Sequence, residues 1–424
     1  MEIDSNSNLE KTINNSEQPE FKSYKYRWLV LILFMFVGAM TQVIWVSFVG
    51  ITTESTIYFA VSENLILLLS VIFMIAYIPV NFLACWVIDK LGLKWGTGIG
   101  VILTGVFGFL RAVVGTNYWL VFVFQLMTAI GQPFVLNSFT KLAATWFPEK
   151  ERTLATGLGT MALLLGVIIA FVTAQPIIGE GPNYRMPLLL YIFGGVALLS
   201  MALYLIFVKN KPPTPANAYS DKTKVLAIEG TFSMFKKRDF NLLFVILFIG
   251  LGAFNAISSV LDIVYDYPDN SPIPGYIGGT MIAGGIIGAI LLSSLSDRYK
   301  KRKIFIILAM FAGAIFTPIL ILVPNDIVRF IVAFVFGFFL VSALPVGLTF
   351  AAEITYPLTE ETSNGLMMWI GQIGGIILLA CIMITNIYND ALMYINIIII
   401  AITFVLGIVI SFFMKDLDAY EIKS

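Results

Sequence analysis

Asp89-Lys90-Leu91-Gly92-Leu93-Lys94 returns 208 residues later as Asp297-Arg298-Tyr299-Lys300-Lys301-Arg302. A second pair of landmarks keeps nearly the same offset. Ala144-Thr145-Trp146-Phe147-Pro148 and Glu353-Ile354-Thr355-Tyr356-Pro357 place their prolines 209 residues apart. Two separate markers with one offset point to duplicated halves. Each marker closes a long apolar run, so the repeated unit is a set of hydrophobic helices and the question becomes how many there are.

A bilayer core of about 30 Å needs about 20 mainly apolar residues per helix. That ruler yields twelve spans, at 28–51, 64–88, 95–114, 118–144, 153–177, 186–208, 240–264, 276–296, 304–323, 327–352, 364–385 and 391–414. Twelve is even, so both termini fall on one side of the membrane. With that side cytoplasmic, 23 of the 26 basic residues lie in cytoplasmic tails and loops, and only Arg111, Arg185 and Arg329 fall elsewhere. One missed helix would scramble this separation, so the bias of basic residues supports the count.

The bulk composition agrees. Hydrophobic residues make up 58% of the chain and charged residues 12%, against about 25% charged in soluble domains. Such a chain needs a lipid bilayer around it. Its net charge is zero, which gives no reason to expect a nucleic-acid partner. Histidine is absent, and the two cysteines, Cys85 and Cys381, sit in apolar runs. The usual near-neutral acid–base group, a Cys/His nucleophile and a zinc site are therefore missing. We expect no enzyme, no cofactor and no metal. The expected layout is a disordered cytoplasmic tail (1–26), a six-helix bundle (27–208), a cytoplasmic linker (209–239), a second bundle (240–414) and a short cytoplasmic tail (415–424). A weak apolar stretch, Val225 to Phe232, suggests an interfacial helix in the linker.

Polar side chains in hydrocarbon are costly and usually face a cavity or the bundle interior. Span 1 carries Thr41, Gln42 and Trp45; span 4 carries Gln125, Thr128 and Gln132; span 7 carries Asn255, Ser258, Ser259 and Asp262; span 11 carries Trp369 and Gln372. Ser, Thr and Gln can also bond within a helix or join two helices. That structural role suits Ser258, Ser259, Thr128 and Gln125. The mid-span Gln132 and Gln372 suit a cavity, and the depth of Trp45 argues against the interfacial aromatic belt, which Trp28 and Trp146 fit better. No acid occupies the middle of a span, which favours facilitated diffusion over proton coupling. Lys141 and Glu353, near the inner ends of spans 4 and 10, are candidates for an inner gate.

The acidic-then-basic loops after spans 2 and 8 resemble the hallmark of the major facilitator superfamily. That resemblance implies an all-α membrane fold of twelve helices in two pseudo-symmetric six-helix bundles, with Asp89, Lys94, Asp297 and Arg298 as an inner latch. Cys85 and Ser293 stand where the pattern prefers glycine. A narrower resemblance comes from Ala76-Tyr77-Ile78-Pro79, Leu344-Pro345-Val346-Gly347, Ala352 to Pro357, Ser363-Asn364-Gly365-Leu366 and Gln372-Ile373. These are similar to the feline leukaemia virus subgroup C receptor-related family, whose members are implicated in moving choline and ethanolamine, with haem also proposed. The resemblance implies that Trp45 stacks on a quaternary ammonium and that Gln132 and Gln372 line the substrate site. Lys141 stands where that family has arginine. Asn255 replaces an aromatic, Thr41 and Ile44 replace amides, and Leu163 and Leu164 replace polar amides.

The sequence thus leads us to expect a plasma-membrane carrier, a monomer, moving a small organic solute by alternating access. Trp45, Gln132, Asn255, Gln372, Thr41 and Gln42 are the candidate substrate contacts. The alternatives are a proton-coupled carrier or exporter of another metabolite, and a receptor on a carrier scaffold.

Overall fold

The computed structural model describes residues 22–179, 184–216, 231–264, 271–356, 360–388 and 390–415. Most of the N-terminal tail, linker residues 217–230, the C-terminal tail beyond 415 and the side chain of Asp262 lie outside the described residues. The interfacial helix expected from Val225 overlaps the described part only at a short helix, Thr231–Met234.

Among the described residues the helices form twelve passes. Span 1 is Tyr26–Trp45, which breaks and resumes through a 3-10 turn, Val49–Ile51, into Thr52–Phe59. Glu63–Val113 is one run of 51 residues that reverses at Gly92, so it holds spans 2 and 3. Span 4 is Tyr118–Leu136 continued by Ser138–Trp146, span 5 is Glu149–Ile178 and span 6 is Met186–Phe207. Spans 7, 8 and 9 are Arg238–Val264, Ile273–Tyr299 and Lys303–Leu322. Span 10 is Asp326–Leu340 with Ala343–Thr355, span 11 is Glu360–Tyr388 and span 12 is Asp390–Phe412. Among the described residues all regular structure is helical.

Gly92 has φ 78° and ψ 175°, a conformation that costs an L side chain dearly and glycine little. It makes the hairpin between spans 2 and 3 possible without a loop. Pro133 lacks the N–H that would extend the ladder in span 4, and that helix stops at Leu136.

Spans 2 and 3 pack on span 4, span 3 on span 6, and span 1 on span 5; in the other half span 8 packs on span 10 and span 9 on span 12. The 3-10 turn of span 1 packs on spans 7 and 8, and two further seams join the halves. At one, span 11 crosses span 2: Trp369 Nε1 donates to Ile78 O at 3.2 Å, and Asn64 Nδ2 to Met383 O at 3.3 Å. At the other, span 8 lies against span 5 so closely that a Cβ on Gly275 would sit 2.4 Å from Phe171 O. Small residues give this backbone approach, the means by which helices associate where water supplies no driving force. The seam lies at the end of the molecule opposite the basic loops. Large side chains face outward along most spans, among them Ile32, Trp119 and Ile402, as lipid requires.

Trp146 departs from expectation. It is buried and packs beside Tyr26, where the N-terminal end of span 1 covers the end of span 4. Trp86, Trp95 and Trp119 are the exposed tryptophans.

Candidate substrate cavity and its ion pairs

Between the bundles lies a cavity of about 760 Å³. Its walls come from both halves. Gln42, Trp45 and Gln132 line it from spans 1 and 4, and Asn255, Ser258 and Gln372 from spans 7 and 11. Further along, Thr156 and Arg152 of span 5 face Ser293 and Asp297 of span 8. The cavity therefore runs from mid-membrane toward the end that carries the basic loops. Spans 5 and 8, in contact at Gly275, form separate walls at that end.

Five of the six expected contact residues line the cavity. Thr41 does not: its hydroxyl donates to Gly38 O at 2.7 Å in its own helix, and serves only as a 3.4 Å partner for Gln42 Nε2. Trp45 is the last residue of the first part of span 1, and its Nε1 donates to Ser70 O of span 2 at 3.2 Å. That bond occupies the indole N–H and sets the ring against the cavity wall. Asn255 is buried and packs on Gly375 of span 11, and its Nδ2 has no hydrogen-bond partner among the described residues. Ser258 and Ser259 bond to carbonyls of their own helix.

The deep wall is uncharged. Among the described residues lining the cavity, the charged ones are Arg152 and Asp297, both at the basic end. The deep section combines carboxamides, hydroxyls and an indole with Phe73, Leu247 and Phe254.

The expected latch residues find their partners within their own halves. Asp89 meets Lys141 at 2.7 Å, and Lys141 Nζ also donates to Ile88 O at 3.1 Å. Lys94 instead donates to Leu205 O at 3.0 Å, near the C-terminal end of span 6, where a cation meets the negative end of a helix. In the second half Arg302 bridges Asp297 and Glu353, the latter through Nη2–Oε1 at 2.8 Å and Nε–Oε2 at 3.2 Å. Burial alone would lower the Arg302 pKa, but its bonds to Glu353 and Asp297 outweigh this and raise it. Arg298 is exposed, and Arg302 holds the place expected of it. Lys141 and Glu353 do not pair with each other; each ion pair stays within its half, tying the end of span 2 to span 4 and of span 8 to span 10.

One polar cluster was not among the expected sites. Arg111 of span 3 is fully buried and donates from Nη1 to Gln125 Oε1 of span 4 and to Ser47 Oγ, the latter at 3.1 Å. The sequence signal was available: an arginine inside a span, with a glutamine inside the next.

Residues 29–379 match the model of the Major Facilitator Superfamily. The chain belongs to that superfamily. It is thus a multi-pass membrane transporter rather than an enzyme, and its substrate class is small molecules. An MFS-type transporter of Caenorhabditis elegans is 32% identical over 86% of this chain and 65% of its own length. Solute carrier family 49 member A3 of Xenopus tropicalis is 30% identical, over 87% and 80%. The choline/ethanolamine transporter FLVCR2 of Homo sapiens is 28% identical, over 84% and 71%. In fold, this superfamily member resembles the crystal structure of a bacterial homolog of the human lysosomal transporter Spinster, in an inward-facing, unoccupied conformation. The TM-score is 0.70 at 14% identity, covering 92% of this chain and 97% of that one.

Proposed function

We propose that this transporter moves a small amine or quaternary ammonium solute, such as choline or ethanolamine, by alternating access between its two bundles. The observation that carries the reading is the wall of the deep cavity: an indole held in place by a hydrogen bond, beside several carboxamides and with no charged side chain. An aromatic face attracts a cation by about 0.5–2 kcal/mol. Carboxamide oxygens can accept from an ammonium or a hydroxyl without the desolvation cost of a buried carboxylate. Relatives named as choline/ethanolamine transporters support this substrate class.

Trp45, Gln132, Gln372, Asn255 and Gln42 contact the solute, while Thr41 supports Gln42 from behind. Among the described residues no acid lines the deep part of the cavity, which favours facilitative transport. The pairs Asp89–Lys141 and Arg302 with Asp297 and Glu353 stiffen the basic end of each half so that it rocks as a unit. We place that end in the cytoplasm, with both termini, in the plasma membrane, and we take the monomer as the working unit. The halves are 27–208 and 240–414, joined by the linker 209–239.

Counterflow into proteoliposomes tests the reading. Vesicles preloaded with unlabelled choline should accumulate radiolabelled choline or ethanolamine saturably, unaffected by a pH jump. Vesicles that show no saturable exchange of either compound would rule out the amine assignment.

A further inference from the structure

Span 1 breaks immediately after Trp45, and such an end leaves its last carbonyls without intrahelical donors. Ile44 O, one residue before the tryptophan, is satisfied from three directions. Ser47 Oγ donates at 2.9 Å, Gln125 Nε2 at 3.3 Å and Arg111 Nη1 at 3.4 Å. The guanidinium also holds Ser47 Oγ and Gln125 Oε1, so it grips the break on both sides of Trp45. Gln125 Nε2 reaches on to Leu69 O at 3.1 Å, and the Trp45 indole N–H takes the next carbonyl, Ser70 O. Two adjacent carbonyls of span 2 thus set the register of both side chains. Neither Arg111 nor Gln125 lines the cavity.

An arginine here is an expensive way to fill space. It is fully buried, and among the described residues its hydrogen-bond partners are all neutral and its Nη2 has none. Buried charge inside a span is costly, and an apolar side chain of similar volume often serves stability as well. What the guanidinium supplies and an apolar chain cannot is a set of fixed donors, with a positive charge at the negative end of a helix.

We propose that Arg111, acting with Gln125, is a positioning residue for substrate recognition: it caps the broken end of span 1 and so fixes Trp45 at the cavity wall. The inference rests on Trp45 contacting the solute. Arg111 itself touches no substrate.

The test combines hydrogen exchange, which needs no substrate, with choline counterflow. Arg111→Gln should speed amide exchange in a peptide covering 42–51 by about tenfold or more, with spans 8 and 9 unchanged. It should raise the half-saturating choline concentration by about five- to thirtyfold, with the maximal rate held within about threefold. Arg111→Lys should recover part of both effects, and Gln125→Met should reproduce them in milder form if Arg111→Gln folds poorly. In a Trp45→Leu background, adding Arg111→Gln should change half-saturation less than about twofold. Unchanged exchange in 42–51, or the full Arg111→Gln effect persisting without Trp45, overturns the proposal. If the wild-type protein carries no choline, the amine assignment fails, and the exchange measurement alone decides the role of Arg111 at the break.

Discussion

Replacing Gly275 with valine should shift this transporter toward the state that opens at the end opposite the basic loops. The cause is steric. A Cβ at Gly275 would lie 2.4 Å from Phe171 O, and ordinary contact begins at about 3.4 Å, so spans 5 and 8 must part by about 1 Å. Overpacking of this kind costs about 1–3 kcal/mol, and it is felt only where the seam is closed. A state in which the two helices separate there escapes it. The ratio of the two states should then change by about 5- to 150-fold. The assay is a single reporter, Gln372→Cys, in a protein lacking Cys85 and Cys381, labelled by an impermeant thiol reagent. Labelling from the side opposite the basic loops should accelerate by that factor, and labelling from the basic side should slow. Gly50→Ala is the control: its added Cβ meets Phe171 Cδ1 at 3.5 Å and Gly275 Cα at 3.6 Å, ordinary contacts, so the rates should move less than about threefold. A well-folded Gly275→Val protein labelled at wild-type rates from both sides would refute the reasoning.

Three further outcomes follow from the geometry. Trp45→Leu removes the aromatic face and should raise the half-saturating concentration for choline in counterflow by about 2- to 30-fold, the equivalent of 0.5–2 kcal/mol, while uptake of an uncharged isostere of choline changes little. Lys141→Met leaves Asp89 without its 2.7 Å partner; thermal unfolding in detergent should show a loss of about 1–3 kcal/mol, and the double variant Asp89→Lys/Lys141→Asp should recover part of it. Glu353→Gln removes the charge from the bidentate partner of Arg302. The melting temperature should fall, and Asp297→Asn added to it should destabilise more than on its own, since both carboxylates that bridge through Arg302 are then neutral; additivity of the two losses would count against a shared network.

Most of the fold was legible because lipid imposes simple rules. Span length, the side preference of basic residues and the repeat at 208–209 residues each constrain the same twelve helices. Where spans break was harder to read. The break after Trp45 has no proline at that point, and depends on Arg111, Ser47 and Gln125 to satisfy the freed carbonyl, a tertiary arrangement with no local signature. Gln132 and Gln372 could be placed because an amide at mid-span has few options besides a cavity. Thr41 could not, because a threonine can satisfy itself on its own helix, as it does with Gly38 O. The same ambiguity misled the reading of Trp146: a tryptophan at the end of a span belongs to the interface unless another helix covers it, and the start of span 1 does. For the loop charges, sequence did not reveal the pairs. Lys94 and Arg298 stand beside the aspartates in sequence, yet the reach between spans gives Asp89 to Lys141 and Asp297 to Arg302.

Protection of a cavity cysteine tests the central claim most directly. Leu136 lines the cavity without being one of the proposed contacts. In a protein lacking Cys85 and Cys381, Leu136→Cys should react with an impermeant reagent added from the basic side. Millimolar choline or ethanolamine should slow that reaction, and should fail to do so when Trp45 is leucine. A cysteine there that never reacts, or that choline shields equally with and without Trp45, would contradict the account.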